Sequence, residues 1–268
     1  MAGRLGLLAF GGDLPLEIQA ADPGCFVATF AGVPSDVTPT IGQPHHFERL
    51  GALVSDLKRS TVDRLVLAGA LTRPRLDMTR LDAVTLAQAP RLMPALAAGD
   101  DALLRQVIRF FEESGFEVVG AHQIAPGLLV EPGLHLGPDP DAAMLADADH
   151  ALAIVAALGP LDVGQAAVVA AGQCLGIETL QGTDALLAAV AALPADLRPG
   201  APGVLVKAPK PQQDLRVDMP ALGPETIRGA ARAGLAGILV TPRRVLLIDR
   251  PAVEAALDET GLFLLARG

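Results

Sequence analysis

The sequence lacks tryptophan and tyrosine, and it contains only two cysteines among 268 residues. A platform that stacks nucleic-acid bases would have to rely on eight phenylalanines, although such platforms need aromatic side chains in a basic groove. The net charge of −9 also repels a polyanion. Both observations exclude nucleic acid from the expected partners.

Cys25 and Cys174 lie far apart and no CxxC pair occurs. This argues against a structural zinc site or a disulfide framework and predicts a reduced, cytoplasmic chain. The apolar run at residues 5–10 stops at Gly11 and is too short for a signal peptide. No run reaches the roughly 20 apolar residues of a membrane span. Because 51% of the residues are hydrophobic and 19% charged, the chain can bury a sizeable core.

The first half of the chain alternates short apolar runs with helical patterns. Such alternation is typical of a parallel sheet covered by helices on both faces. We therefore expect an α/β fold with a Rossmann-like N-terminal domain. The predicted strands are 4–10, 25–30, 65–68 and 116–119, and the predicted helices are 47–58, 83–98 (interrupted by Pro90 and Pro94), 101–114 and one capped by Asp13.

A change of composition marks the predicted domain boundary. Residues 124–141 contain four prolines and three glycines and show no clear period. We predict an N-terminal domain at 1–125, a linker at 126–141 and a C-terminal catalytic domain at 142–268. The last is expected to be a distinct mixed α/β domain, because a helix at 142–158 and a hairpin at 166–178 precede further βαβ segments.

Two lysines follow a predicted strand at 203–206. Pro209 and Pro211 favour an extended, polyproline-like backbone around Lys210. Because this conformation has three residues per turn, Lys207 and Lys210 are expected to point in the same direction. Two ammonium groups on one side suit a phosphate or a pyrophosphate.

Charged and apolar residues then alternate from Asp214 to Asp218. In a strand this alternation places Asp214, Arg216 and Asp218 on one face. Two carboxylates with an arginine between them can hold a hard cation and a phosphate oxygen together. An exposed edge strand with ordinary solvated charges is the alternative interpretation.

Two predicted helix starts are weaker candidates for ligand-binding sites. Thr183 is a natural N-cap, and the free amides after Gly182 can bind a phosphate oxygen, although capping alone explains the triplet that ends in Asp184. Asp100 and Asp101 begin another helix, where the helix dipole favours acidic residues. A metal or ribose contact is the alternative role for these two acids.

Two predicted loops follow strands. Gly11 and Gly12 resemble a nucleotide-binding turn but form neither GxGxxG nor a P-loop. A tight strand-to-helix turn explains them equally well. Arg73 follows the third predicted strand and can bind an anion there, although exposed loop arginines are common.

Several motifs occur in one order along nearly the whole chain, from about residue 5 to residue 265. They are Gly11-Gly12-x-Leu-Pro, Arg73-Pro74, Gly99-Asp-Asp-Ala-Leu-Leu-Arg105, Gly115-Phe-Glu-Val-Val-Gly-Ala-His122, Leu161-Asp-Val-Gly-Gln165, Gly182-Thr-Asp-Ala-Leu186 and Lys207-Ala-Pro-Lys-Pro-x-Gln-Asp-x-Arg-x-Asp218. Together they resemble the UDP-2,3-diacylglucosamine pyrophosphatases of the lipid A pathway, of the LpxI type.

The resemblance implies a Mg²⁺-dependent, homodimeric hydrolase that releases UMP and 2,3-diacylglucosamine 1-phosphate, with Asp218 essential. An acylated UDP-sugar as substrate further implies peripheral contact with the cytoplasmic face of the inner membrane. The expected catalytic residues are Asp218, Asp214, Lys207, Lys210 and Arg216. The expected substrate-binding residues are Gly11, Gly12, Arg73, Asp100, Asp101, Gln165, Thr183 and Asp184. The expected metal ligands are Asp218 and Asp214.

Two other functions compete with this interpretation. A nucleotide-dependent oxidoreductase would use the turn at Gly11 and Gly12, but the missing GxGxxG weakens that reading. A non-catalytic protein that binds a nucleotide sugar or a lipid would explain the basic residues without requiring Asp218 for turnover.

Overall fold

The computed structural model describes residues 3–72, 74–211 and 213–267, and the chain divides into two compact units. Unit 1 runs to Pro126 and also contains Asp214–Asp218, whereas unit 2 contains Gly127–Gln213 and the chain from Met219 onward. Each unit has its own sheet, and the predicted α/β fold is confirmed. Arg73 and the side chain of Asp100 lie outside the described residues.

These divisions differ from the predicted domains in two places. Val217 packs against the core of unit 1, which explains why the short segment around it belongs there and not to the C-terminal domain. The predicted linker at 126–141 contains the buried Leu128 and Val130 and a strand at His135–Leu136. Proline and glycine there mark turns between packed residues, not an open connection.

Unit 1 contains a four-stranded parallel sheet. Its strands are β1 (Arg4–Ala9), β2 (Phe26–Ala28), β3 (Val62–Ala68) and β4 (Glu117–Val119), and its helices are α1 (Leu14–Ala21), α2 (Leu50–Arg59), α3 (Ala83–Ala98), α4 (Asp100–Glu113) and the single turn α5 (Ala121–Ile124). The strand order is β2-β1-β3-β4, and every neighbouring pair is parallel. The two central strands are almost wholly buried, as expected of parallel strands covered on both faces.

Two helices of unit 1 differ from their predicted form. α2 begins at Leu50, three residues later than predicted, and Phe47 instead stacks on Phe30 with ring centroids 4.6 Å apart. α3 runs without a break through Pro90 and Pro94, so the predicted interruption is wrong. The Asp82 carboxylate accepts the N–H of Thr85 at 2.8 Å and caps the start of α3.

Unit 2 contains a six-stranded mixed sheet and a separate two-stranded ladder. Its strands are β5 (His135–Leu136), β6 (Ala166–Ala170), β7 (Gln173–Ile177), β8 (Val204–Lys207), β9 (Ala221–Leu222), β10 (Gly237–Val240), β11 (Leu246–Leu247) and β12 (Phe263–Ala266), and its helices are α6 (Ala142–Leu158), α7 (Gly182–Ala191), α8 (Pro224–Arg232) and α9 (Arg250–Thr260). The order of the larger sheet is β5-β12-β10-β8-β6-β7, and β9 pairs with β11. β8, β10 and β12 are parallel, whereas β5, β6 and β7 pair antiparallel with their neighbours.

Alternate side chains of each central strand enter different cores. Leu205 lies in the core with α7, α8 and α9, whereas Val204 and Val206 lie in the core with α6. This follows from the two-residue repeat of a strand. Helices therefore cover both faces of the larger sheet of unit 2.

The predicted hairpin in unit 2 is confirmed as β6 and β7. Its two turn residues, Ala171 and Gly172, have φ of 46° and 75°, as in the mirror-image turns that suit strand twist. The buried Asp147 on α6 accepts their N–H groups at 2.9 and 2.7 Å. A side chain from a neighbouring helix thus holds the turn.

α6 with its continuation, Ala142–Leu161, is long and apolar enough to cross a membrane by length and composition. No other helix in the described parts of the chain meets this test. The expectation that no run of the sequence reaches this length is therefore wrong. The helix packs on the sheet of unit 2 through Ala148, Ala151 and Val155, which are buried in its core.

Candidate active site

Two loops of unit 1 meet at the carboxyl ends of β1 and β3. The strand order makes this edge the topological switch point, where open α/β sheets bind ligands. The backbones of Gly11 and Ala70 exchange two hydrogen bonds of 3.0 and 2.8 Å. Gly69 has φ of 103°, and a Cβ there would lie 2.5 Å from the carbonyl oxygen of Gly11. Only glycine permits this approach of the two loops.

The predicted glycine turn occupies the first of these loops. Gly12 has φ of 82° with open space around it, so its conformation and not a close neighbour favours glycine. Asp13 is the N-cap residue of α1, as predicted, but its side chain makes no capping hydrogen bond within the described structure. Its φ and ψ of −85° and −17° are helical, whereas an N-cap residue is usually extended.

The segment Asp214–Asp218 forms a turn, so the predicted strand is wrong. The N–H groups of Val217 and Asp218 donate to the carbonyl oxygen of Asp214 at 3.2 and 3.1 Å. The Asp214 carboxylate accepts the N–H of Arg216 at 3.1 Å. Local bonds of this kind compete with the bonds of a sheet, and the three charges consequently do not share the face of a strand.

Arg216 forms two ion pairs in unit 1. Its Nε and Nη2 donate to the two carboxylate oxygens of Asp214 at 3.0 and 2.8 Å, and its Nη1 donates to Glu112 on α4 at 2.8 Å. The Arg216 side-chain bonds hold the pKa of Asp214 below its ordinary value, and Arg105 acts in the same direction. The same bond to Asp214 raises the pKa of Arg216. The pair therefore stays ionised at neutral pH.

This turn lies beside the carboxyl end of β4. A Cβ on Gly120 would approach the Cα of Arg216 to 3.3 Å and the His122 ring to 2.4 Å. The Nδ1 atom of His122 is buried and has no hydrogen-bond partner among the described residues, and burial lowers the pKa of His122. Because β1, β3 and β4 are parallel, the glycine turn and His122 follow strand ends at one edge of the sheet, and the Arg216 turn (Asp214–Asp218) lies beside the end of β4.

The remaining predicted acids of unit 1 are Asp218 and Asp101. Asp218 is half-buried at the end of the Arg216 turn, and Asp101 is half-buried in the first turn of α4. α4 begins at Asp100, one residue earlier than predicted. Asp218 therefore shares its turn with Asp214 and Arg216, and all three belong to unit 1.

Unit 2 contains a buried chain of three polar side chains. The Lys207 Nζ donates to the Thr183 hydroxyl at 2.8 Å, and that hydroxyl donates to the carboxylate of Glu178. Lys207 and Glu178 each expose 6% of their surface and Thr183 9%. Buried charges require such partners, since an unpaired ion in a dry interior is costly.

Sheet geometry explains why these residues meet. Lys207 ends β8 and Glu178 follows β7, and these strands flank β6 in parallel directions. Thr183 is the second residue of α7, which begins at Gly182. The prediction that Thr183 caps this helix is therefore wrong, because its hydroxyl is engaged by Lys207 and Glu178 instead of a backbone N–H.

Lys210 has a different partner from Lys207. Its Nζ pairs with the carboxylate of Asp162, while its N–H donates to the Gln213 side chain at 2.9 Å. The Gln213 amide in turn donates to Gln165 at 3.0 Å. Both lysines are buried. Lys210 is paired with Asp162, whereas Lys207 is linked to Glu178 through the Thr183 hydroxyl.

The structure thus divides the predicted site residues between the two units. Unit 1 contains Gly11, Gly12, Asp100, Asp101, Asp214, Arg216 and Asp218, and unit 2 contains Gln165, Thr183, Asp184, Lys207 and Lys210. Asp184 is exposed in the first turn of α7. Glu112 and Asp162 are two further residues of these ion pairs that the sequence motifs did not predict. Asp162 lies in the 161–165 motif, so the motif could have predicted it as a site residue. No local sequence signal marks Glu112.

The described residues contain no group of three or more His, Cys, Asp or Glu side chains that could hold a metal ion. Both carboxylate oxygens of Asp214 are bound by Arg216, so Asp214 would have to leave that pair to bind a metal. Mg²⁺ needs only one or two carboxylates when phosphate oxygens and water complete its shell.

Both units place charged groups where the carboxyl ends of parallel strands meet, and unit 1 adds a tight glycine turn at a topological switch point. This arrangement is typical of α/β proteins that bind phosphorylated ligands. Residues 4–128 match the family described as the LpxI N-terminal domain, and residues 131–265 match the LpxI C-terminal domain.

A relative, the UDP-2,3-diacylglucosamine pyrophosphatase LpxI of Caulobacter vibrioides, is 42% identical over 273 residues, covering 98% of this chain and 96% of the relative. The chain belongs to the LpxI family. The family resemblance inferred from the motifs is therefore confirmed.

Proposed function

We propose that this chain hydrolyses the pyrophosphate of UDP-2,3-diacylglucosamine and releases UMP and 2,3-diacylglucosamine 1-phosphate. The observation that carries this proposal is the identity of 42% to a pyrophosphatase over 98% of the chain. The charged groups described above support it, because pyrophosphate cleavage requires cationic donors for the phosphate oxygens and a carboxylate near the attacking water.

Within unit 2, Lys207 and Lys210 are the proposed cationic donors. Both ammonium groups are buried and oriented by side-chain partners. A cation that is already oriented costs little reorganisation when a phosphate arrives. Glu178 and Asp162 would then offset the positive charge of the lysines in the absence of substrate.

Within unit 1, we assign Arg216 to a phosphate and Asp218 to the hydrolytic step. Arg216 can bind an anion with its planar fork, as it binds Asp214 here. The glycine turn at Gly11 and Gly12 is the proposed position of the nucleotide part, in line with its place at the switch point.

Mg²⁺ is the proposed cofactor, with Asp218 as the residue that would hold it together with substrate phosphates. A bound Mg²⁺ would offset negative charge on the phosphate oxygens and lower the pKa of its bound water. The carboxylate of Asp218 either holds this ion or orients the attacking water. The two roles predict different effects of excess Mg²⁺ on the activity of an Asp218 variant.

The first experiment follows UMP release from the acylated substrate with Mg²⁺ and with excess chelator, for the native chain and for Asp218→Asn. Asn keeps the shape of the side chain and removes its charge. We expect UMP only with metal and a loss of at least about 100-fold in kcat for Asp218→Asn, with substrate binding retained. Partial rescue of the variant by high Mg²⁺ would identify Asp218 as a metal ligand.

Asp196→Asn is the matched control, because Asp196 is an exposed acid of unit 2 in a single-turn helix. It should leave UMP release unchanged. If substrate binds but no UMP forms under any metal condition, the chain is a binding protein and the hydrolase proposal is wrong.

A homodimer in the cytoplasm is the proposed state of the protein. Two cysteines without a disulfide framework support a reducing compartment. Sedimentation equilibrium of the full chain checks the dimer.

A further inference from the structure

Glu178 lies at one end of the buried polar side chains of unit 2. Its carboxylate accepts the hydroxyl proton of Thr183, and that hydroxyl accepts an N–H of Lys207 at 2.8 Å. Only 6% of the Glu178 surface is exposed, and a buried carboxylate is costly for folding unless it is paired. The place of this acid in the fold is therefore tied to the lysine at the other end of the two hydrogen bonds.

Two backbone contacts hold Glu178 in place. Its N–H donates to the carbonyl oxygen of Ala166 at 2.8 Å, which extends the pairing of β6 and β7. In addition, Gly164 has φ of 55°, and a Cβ there would lie 2.1 Å from the carbonyl oxygen of Glu178. Only glycine permits this approach. The carboxylate of Glu178 therefore projects from a backbone with a fixed position.

The loop at 162–165, which includes this glycine, also holds the second lysine of unit 2. Asp162 pairs with Lys210, and the carbonyl oxygen of Gln165 accepts the N–H of Ala208 at 2.9 Å. One short loop thus contacts the acid of the first lysine and supplies the acid of the second. The surroundings of both proposed cationic donors are consequently built on the same segment.

Glu178 also determines how the Thr183 hydroxyl bonds. A hydroxyl has one proton to donate and two lone pairs, whereas a carboxylate only accepts. The proton therefore points to Glu178, and a lone pair faces the Lys207 ammonium. Without the carboxylate the proton can rotate to another acceptor, and the ammonium loses an oriented partner.

A buried lysine needs both an anchor and a countercharge. The four-carbon stem of a lysine is flexible, and burial of the ammonium favours loss of its proton. For Lys207, which is only 6% exposed, the Thr183 hydroxyl supplies the anchor. The carboxylate of Glu178 supplies the negative charge that opposes proton loss. A donor to phosphate oxygens requires both properties, because it must be charged and already oriented when the substrate arrives.

We propose that Glu178 is a positioning residue of the hydrolysis: acting through the Thr183 hydroxyl, it keeps the Lys207 ammonium charged and fixed for the substrate phosphates. The inference rests on the proposed function, which assigns Lys207 to those phosphates. Glu178 acts only by way of this lysine, so its removal should not slow the reaction further once Lys207 has been replaced.

NMR of the full chain labelled with ¹³C-lysine tests the effect on the ammonium. The chain contains only three lysines, Lys58, Lys207 and Lys210. The exposed Lys58 is the reference, and Lys207→Met assigns the Lys207 signal by its loss. We expect this signal to titrate at least about one pH unit lower in Glu178→Gln than in the native chain, because an amide supplies no countercharge. Equal titration in both proteins would overturn the proposal.

Two Thr183 variants test the link between the acid and the lysine, and they keep the test decisive if circular dichroism shows that Glu178→Gln does not fold. Thr183→Val keeps the shape of the side chain and removes its hydroxyl, whereas Thr183→Ser keeps the hydroxyl. We expect the Lys207 signal to titrate lower in Thr183→Val and as in the native chain in Thr183→Ser. The same titration in both variants would exclude a role for the hydroxyl and refute the proposal.

UMP release separates a positioning role from general damage to the fold. Rates are measured for Glu178→Gln, for Lys207→Met and for the double variant. We expect kcat to fall about tenfold for Glu178→Gln and at least about 100-fold for Lys207→Met. The double variant should be no slower than Lys207→Met, because Glu178 then has no cation to position. Losses that multiply would show that Glu178 acts by another route, against the inference.

Glu254→Gln is the matched control. Glu254 accepts a hydrogen bond from Arg250 at 2.8 Å, but its side chain is 45% exposed, so its loss should change neither the Lys207 titration nor UMP release. If the native chain releases no UMP, the proposed function fails and this inference fails with it. If the native chain releases UMP while the Lys207 signal is unshifted or the losses multiply, the inference alone is wrong.

Discussion

The two units hold their charged side chains in different surroundings. In unit 2, Lys207, Thr183 and Glu178 are almost fully buried. In unit 1, the side chains of Arg216 and Asp214 remain 38% and 27% exposed. Burial makes a charge expensive to leave unpaired, whereas water screens a half-exposed pair. The buried side chains of unit 2 are therefore suited to hold a fixed geometry. Arg216, in contrast, is suited to release Asp214 and bind an incoming phosphate.

The largest expected effect is that of Glu178→Ala on stability. The substitution removes the buried carboxylate that accepts the Thr183 hydroxyl and offsets the charge of Lys207, so we expect the free energy of unfolding to fall by about 3 kcal/mol. Urea unfolding followed by circular dichroism measures this change.

The control for Glu178 is Glu225→Ala. Glu225 is a surface acid paired with Arg228, and its side chain is 69% exposed. Its loss should cost no more than about 0.5 kcal/mol. Similar losses for both variants would show that burial does not distinguish the two acids.

A smaller effect is expected for Asp214→Asn. The pair with Arg216 is partly solvated, so the loss at neutral pH should be at most about 1 kcal/mol. The pKa of Asp214 is lowered from 3.8 in the folded chain. The stabilising contribution is therefore fully present above the unfolded pKa and is lost as pH falls through the lower folded value. Unfolding of native chain and variant at pH 7 and pH 3 checks this, and a difference that grows on acidification would contradict it.

The smallest effect concerns His122, beside the same turn. Burial lowers its pKa from 6.5, so the folded chain keeps the imidazole neutral while the unfolded chain binds a proton. Stability contributed at this site is therefore lost as pH falls from 6.5 toward the folded pKa. His122→Gln removes the effect. The melting temperature of the native chain should fall more between pH 7.5 and pH 5.5 than that of the variant, and identical falls would contradict the assignment.

Sequence patterns predicted most strands and helices because their signals are local. The apolar runs of β1 and β3 and the helical spacing of α4 require no knowledge of distant residues. Two of the failures in the candidate site occurred where a side chain competes with a backbone pattern. Asp214 accepts the N–H of Arg216 and converts an alternating segment into a turn. Thr183 binds other side chains and so does not cap α7.

The types of residue in the candidate site could be predicted from the sequence, but the ion pairs that they form could not. Lys207, Lys210 and Arg216 stood out as cations in a short motif. Their acids come from distant segments, since Asp162 lies 48 positions from Lys210 and Glu112 lies 104 positions from Arg216. Only the folded sheets bring such residues together. A single sequence carries no signal that pairs them.

The packing of Val217 against the core of unit 1 has a consequence for dissecting the gene. The chain leaves unit 2 at Gln213, supplies five residues to unit 1, and returns to unit 2 at Met219. A truncated product that stops after Pro126 would lack the Arg216 turn and one of its own apolar contacts. The two halves of the coding sequence consequently do not correspond to two independent modules, and a recombination point placed between them would damage both products.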